Sequence, residues 1–199
     1  MTRSTRRYSH ALALARLILR HHSPDLRWGS DDLIALLFDS NRLFEAFIAQ
    51  AFRRLQLPGV KVRTQVPALL WRPEEGGRGR RVIPDVVLRC GDGETVIVDT
   101  KWKVPVGGRP SVDDLRQMYV YNEVFSSARS ILLYPSGGRA GEATKGHFPA
   151  ADHGCETAYI ELFDDAGKAS LPFVQAKLAA LVAAFASKAG GGYHADLTA

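Results

Sequence analysis

Between residues 40 and 56 the apolar positions recur every three to four residues. In SNRLFEAFIAQAFRRLQ they are Leu43, Phe44, Phe47, Ile48, Ala51, Phe52 and Leu55, and Pro58-Gly59 stops the run. This is the period of an amphipathic helix. The period then drops to two. VKVRTQV (60–66) alternates apolar and polar and predicts a strand, which PALLW (67–71) extends. RPEEGGRGR (72–80) is a charged, glycine-rich connector. RVIPDVVLR (81–89) and TVIVDTKWK (95–103) predict two more strands, joined by CGDGE. After the loop at 104–110, SVDDLRQMYVYNEVF (111–125) reads as a helix with a capping box from Ser111 to Asp114. SILLYP (130–135) is a buried strand, 136–147 a loop and ETAYIELF (156–163) a last strand. The stretch 170–188 is a final helix with Ser170 as its cap and Pro172 in its first turn.

Upstream, 9–22 and 30–38 predict two shorter helices, the second opening on a Ser/Asp cap. The order through the middle is α, β, β, β, α, β. This points to an α/β fold: a mixed central sheet flanked by helices. Residues 1–189 read as one domain, with a helical segment at 1–39, a core at 40–135 and a closing strand and helix at 136–189. Residues 190–199 read as a flexible tail.

Composition narrows the class. Of 199 residues, 46% are hydrophobic, enough to build a core, and the net charge is +5. The basic residues cluster in the first 28 positions and from Arg53 to Arg81, whereas acids gather after Asp152. An anionic partner suits that asymmetry, and so does ordinary solvated surface charge. Two cysteines make neither a disulfide scaffold nor a zinc motif, and no apolar run is long enough to span a bilayer. The expected location is cytoplasmic. The basic N-terminus has Arg16 inside its apolar stretch and reads as a folded helix, not a targeting peptide. The six histidines fit no ligand spacing. Trp71 and Trp102 read as packing residues.

The candidate chemistry lies in PDVVLRCGDGETVIVDTKWK (84–103). A charge inside a strand is costly unless it is paired or bound to a cation. If Gly91-Asp92-Gly93 is a three-residue turn, Cys90 faces Glu94 and Asp85 falls opposite Asp99. Opposed residues have Cβ atoms about 5 Å apart, and Lys101 then projects from the same face as Asp99. A two-residue Asp92-Gly93 turn would pair Asp85 with Thr100 instead, unless a bulge restored the match. Two acids and a lysine on one face suit a hard divalent ion such as Mg²⁺, with Mn²⁺ as a substitute. Such an ion polarises a phosphoryl oxygen and activates water, which is equipment for phosphodiester hydrolysis. A surface hairpin with scattered charges is the plainer reading. Glu45, at the border of the 40–56 helix's apolar face, could reach the same ion or lie at a wet rim. Gln117 and Tyr121, four apart on the later helix, could touch the metal's water or a phosphate, or form an ordinary surface pair.

FDSNRLFEAFIAQAF, VIPDVVL, VIVDTKWK, DDLRQMYVYN and ILLYP, in this order and spacing, resemble the PD-(D/E)xK nuclease superfamily. The closer likeness is to the nuclease half of McrC, the DNA-cutting subunit of McrBC modification-dependent restriction systems. QMYVY also resembles the Gln-x-x-x-Tyr element of some superfamily branches. The resemblance implies a restriction-endonuclease-like αβββαβ core and a Mg²⁺-dependent DNA endonuclease acting in defence. It implies Asp85, Asp99 and Glu45 as metal ligands, Lys101 beside the attacking water, and Gln117 and Tyr121 in support. Double-stranded DNA would be held through its phosphates, with Arg78, Arg80, Arg81 and Lys103 as candidate contacts. The half of McrC that engages the GTP-driven partner McrB has no counterpart here. The likeness thus leaves a McrB-like partner open, and with it whether the chain is a fragment, a truncated gene or a stand-alone nuclease. A non-catalytic DNA-binding or assembly subunit on the same fold, an inert truncation, and a metal-free scaffold are the alternatives.

Overall fold

The computed structural model describes residues 39–91, 93–136 and 143–186. The helices expected at 9–22 and 30–38, and the tail, lie outside them. The described elements run α1 (Ser40–Arg53), β1 (Val60–Thr64), β2 (Ala68–Trp71), β3 (Arg80–Val82), β4 (Val86–Cys90) and β5 (Thr95–Thr100). A short 3-10 turn (Val106–Gly108) leads to α2 (Val112–Phe125), followed by β6 (Arg129–Pro135), β7 (Lys145–His147), β8 (Gly154–Ile160) and α3 (Leu171–Ala186). No helix among the described residues is long and apolar enough to cross a membrane.

Six strands form one mixed sheet in the order β1-β4-β5-β6-β8-β7. The β1–β4 and β4–β5 pairs are antiparallel, β5–β6 and β6–β8 are parallel, and β7 closes the far edge antiparallel to β8. The succession α1-β1-β4-β5-α2-β6 is the expected αβββαβ order. Strands β2 and β3 form a separate two-stranded ribbon inserted between β1 and β4.

The period-two pattern of each central strand sorts its side chains between two cores. Val86, Leu88, Val96, Val98, Ile131 and Leu133 face one side, against Phe44, Ile48 and Phe52 of α1 and Val174, Leu178 and Val182 of α3. Val87, Ile97, Leu132 and Tyr134 face the other, against Met118 and Tyr121 of α2. Helix α1 is started by Asp39, whose Oδ1 accepts from the backbone N–H of Asn41 at 3.0 Å and Arg42 at 3.3 Å. Helix α3 opens on Ser170, whose Oγ accepts from Phe173 N at 3.3 Å.

Three expectations need correcting. The strand at 60–66 does not run on through 67–71. Gln65 adopts φ +53, which turns the chain out of the sheet, so 68–71 pair with 80–82 instead. The stretch 81–89 is two strands, not one, because Ile83–Asp85 carries no ladder pairing and Pro84 has no N–H to offer. The loop at 136–147 contains β7, a three-residue edge strand whose side chains are exposed, so no periodicity marks it. Trp102 packs as expected, its ring 5.4 Å from that of Phe44. Trp71 does not; it is 56% exposed on the ribbon.

Candidate active site

The site grows from the β4–β5 hairpin. Cys90 N donates to Glu94 O at 2.8 Å and Gly93 N to Cys90 O at 3.0 Å, so three residues make the turn. The ladder above follows, Arg89 against Thr95 and Val86 against Val98. One step further, the register sets Asp85 opposite Asp99. Counting by twos from Val87 and Ile97 puts both carboxylates on the α2 side of the sheet. Both are buried, Asp85 8% exposed and Asp99 3%.

Each carboxylate has its own partners. Asp85 Oδ2 accepts from Thr100 N at 2.8 Å and Thr100 Oγ1 at 2.6 Å, while Oδ1 accepts from Gln65 Nε2 at 3.2 Å. Lys101 Nζ lies 2.6 Å from Asp99 Oδ2 and donates to Gln117 Oε1 at 2.7 Å. Gln117 Nε2 in turn donates to Tyr121 OH at 2.8 Å and, more weakly, to Asp99 Oδ1 at 3.4 Å. The phenol donates to Ile83 O at 3.2 Å, which ties α2 to the segment leading into Asp85. The structure thus brings Asp85, Asp99, Lys101, Gln117 and Tyr121 together. Glu45 arrives from α1, in the opposite layer, with its Oε1 accepting from Gln65 Nε2 at 2.6 Å.

The electrostatics are tense. Asp99 is pushed up to about 6: burial raises it most, Lys101 opposes the rise, and the charges of Asp85 and Asp114 add to it. Burial raises Glu45 as well, and Asp85 beside it adds to the rise. The Tyr121 phenol is pushed up to about 12, first by burial and then by the charges of Asp99, Asp85 and Glu45. It stays protonated at neutral pH and acts as a hydrogen-bond donor.

The donor set suits a hard divalent cation. It offers carboxylate oxygens, and Asp99 Oδ2 is buried with no hydrogen-bond donor beyond its ion pair with the lysine ammonium. Among the described residues no group of three His, Cys, Asp or Glu side chains is arranged to hold a metal. Mg²⁺ does not need three. It is held by one or two carboxylates and fills its remaining positions with water and substrate oxygens.

Sequence reasoning missed three residues. Thr100 and Gln65 hold Asp85, and Asp114 anchors the lysines. Asp114 Oδ2 lies 2.5 Å from Lys103 Nζ and accepts from Ser111 Oγ at 2.7 Å; its Oδ1 lies 3.9 Å from Lys101 Nζ. Burial would raise Asp114, but the hydrogen bonds from Lys103 and Ser111 and the two lysine charges outweigh it and lower it. The Ser111–Asp114 spacing was visible as a cap, and nothing in it signalled the lysines. Among the candidate DNA contacts, Lys103 is occupied by this carboxylate. Arg80 and Arg81 stand exposed on the ribbon opposite Trp71 and Leu69, and Arg78 is exposed in its turn. Gly79 lets that ribbon close, since a Cβ there would lie 2.6 Å from Leu69 Cδ1 and 2.7 Å from Trp71 O.

The fold is similar to that of a chain in a refined half-complex from a tetradecameric assembly of Thermococcus gammatolerans McrB AAA+ hexamers with bound McrC. The match has a TM-score of 0.55 at 20% identity and covers 74% of this chain and 34% of that one. The chain thus spans about a third of that chain's length. Among curated proteins none matches. Residues 1–135 match the family described as McrBC 5-methylcytosine restriction system component, a span that includes every site residue named above. The chain therefore belongs to the McrBC 5-methylcytosine restriction system component family.

Proposed function

We propose that the protein is a Mg²⁺-dependent endodeoxyribonuclease, the cutting component of a restriction system. One observation carries the reading: Asp85 and Asp99 stand opposite each other on the α2 face, with the Lys101 ammonium 2.6 Å from Asp99. Buried like charges in adjacent positions destabilise a fold unless a cation or a reaction uses them. Asp85 and Asp99, with Glu45 alongside, would hold the ion. A bound Mg²⁺ would polarise the scissile phosphate and make a water acidic enough to attack it.

The chain's own groups do the rest. Lys101, steadied by Gln117 and by the more distant Asp114, is placed to orient the attacking water and to offset charge on the phosphate. Tyr121 fixes the Gln117 amide, which therefore presents its oxygen to Lys101 and its nitrogen to Asp99. Hydrolysis adds water across one P–O bond, leaving a phosphomonoester and a free hydroxyl. Arg78, Arg80 and Arg81 on the ribbon suit phosphate contacts that carry little sequence information.

The test is Asp99→Ala. Cleavage of DNA in Mg²⁺ should fall by at least about 10³-fold with the far-UV spectrum unchanged. Unaltered cleavage would end the proposal. A McrB-like AAA+ partner is a second part of this reading, drawn from the family and from the assembly in the similar structure. Co-purification with such a GTPase tests it.

A further inference from the structure

The β2–β3 ribbon is the part of the molecule that packing explains least. At its foot Ala68 pairs with Val82, and Val82 joins the α2-side core. Beyond them the apolar residues meet water. Leu69, Leu70 and Trp71 are 45%, 48% and 56% exposed, and Ile83, just after β3, is 45% exposed. A tryptophan more than half in water forgoes the burial its large ring usually brings. The pairing also slips here. Leu69 faces Arg81 and Trp71 faces Arg80, which leaves Leu70 as the extra residue of a bulge. Bulges bend a strand and re-aim its side chains.

The same ribbon is cationic. Arg72, Arg78, Arg80 and Arg81 are all exposed, against Glu74 and Glu75 at the turn where Gly76 N donates to Pro73 O at 3.4 Å. Among the described residues none of these four arginines forms an ion pair. An apolar protein partner would leave the guanidinium groups without anions. Double-stranded DNA answers both features, with phosphates for the arginines and base edges for the apolar side chains.

Both feet of the ribbon are tied to the acids. Ahead of β2, Gln65 Nε2 donates to Asp85 Oδ1 at 3.2 Å; after β3, Ile83 O accepts from Tyr121 OH at 3.2 Å. A backbone lying at Asp85 and Asp99 therefore runs past the ribbon. A major groove, about 12 Å wide, admits two paired strands.

We propose that the ribbon enters the major groove of the bound duplex, with Trp71 against the base edges and the four arginines on the flanking phosphates. The proposal rests on the nuclease reading of the site and adds to it the element that touches the bases.

The test is binding of a labelled duplex by the full 199-residue chain, read by fluorescence anisotropy without divalent ions over a range of salt concentrations. Trp71→Ala should weaken binding about tenfold at every salt concentration. Arg80→Gln should instead reduce the slope of log K against log salt by about one. Trp71 belongs to neither core, so its variants should keep the far-UV spectrum. Trp71→Phe keeps a ring and should recover part of the lost affinity. Binding by Trp71→Ala as tight as wild type would overturn the proposal, and cleavage by that variant in Mg²⁺ would leave the nuclease reading standing. Unchanged DNA binding with loss of self-association, or of a McrB-like partner, would assign the ribbon to a protein surface and overturn the proposal too. A wild-type chain that binds duplex DNA at no salt concentration would overturn both.

Discussion

Strand β5 carries a buried ion pair at each end, and the two are built differently. At its start, Arg129 grips Glu94 with two parallel bonds, Nε to Oε1 at 2.8 Å and Nη2 to Oε2 at 3.1 Å. Nη2 also donates to Phe185 O at 3.0 Å, and the guanidinium lies over the Phe185 ring. Among the described residues no other acid forms an ion pair with it. At the far end, Lys101 meets Asp99 through one contact, shares its ammonium with Gln117, and has Asp114 at 3.9 Å. Asp99 in turn feels Asp85. Arginine's fixed fork suits the first task, and lysine's single mobile charge suits the second. The first pair docks α3 to the sheet through Phe185 O. The second keeps its charges only partly matched, since Asp85 and Asp114 both act on it.

Four measurements sharpen or break this contrast, in falling order of expected effect. Arg129→Ala leaves Glu94 half-buried without its fork and should cost about 3 kcal/mol of stability by denaturant titration. If it costs nothing, the first pair is not a structural clamp. The second measurement concerns pH. Asp99 is raised from 3.8 to about 6, so its contribution to stability is fully present below about pH 4 and is lost as pH rises through 6. Without divalent ions, the wild type should therefore lose stability relative to Asp99→Asn between pH 4 and 7, by about 3 kcal/mol at most. Parallel melting curves of the two proteins across that range would show that Asp99 is not under tension.

Third, Lys101→Met keeps the stem and removes the charge. Cleavage should fall about a hundredfold, equivalent to about 2.7 kcal/mol, with a much smaller change in stability than Arg129→Ala gives. The reverse pattern would make Lys101 the structural residue. Last, Tyr121→Phe removes the phenol that fixes Gln117 and meets Ile83 O. It should slow cleavage severalfold and cost about 1 kcal/mol of stability; a larger kinetic loss would place the phenol on the substrate.

What could be read from the chain beforehand divides along a physical line. The Asp85–Asp99 match was legible because a hairpin's register follows from its turn length, and the glycines of CGDGE allowed a three-residue turn. Gln117 and Tyr121 were legible as a pair because helix geometry puts residues four apart on one face. The partners that set the tension were not. Gln65 reads as one more polar position in VKVRTQV. Its left-handed backbone has no local signal, since the residue is not a glycine. Asp114 was seen as a helix cap, but its grip on Lys103 joins elements that no local pattern connects. The ribbon was hidden because PALLW looks like the continuation of a strand, although Pro67, in the segment between β1 and β2, marks the break.

The ribbon also separates two kinds of change the protein can tolerate. The facing of residues 85 and 99 is dictated at the opposite end of β4, by the tight reversal after Cys90. Lengthening or rebuilding the segment between Trp71 and Arg80 leaves that alignment untouched. The inserted ribbon and the facing of the two acids are thus set from opposite ends of β4.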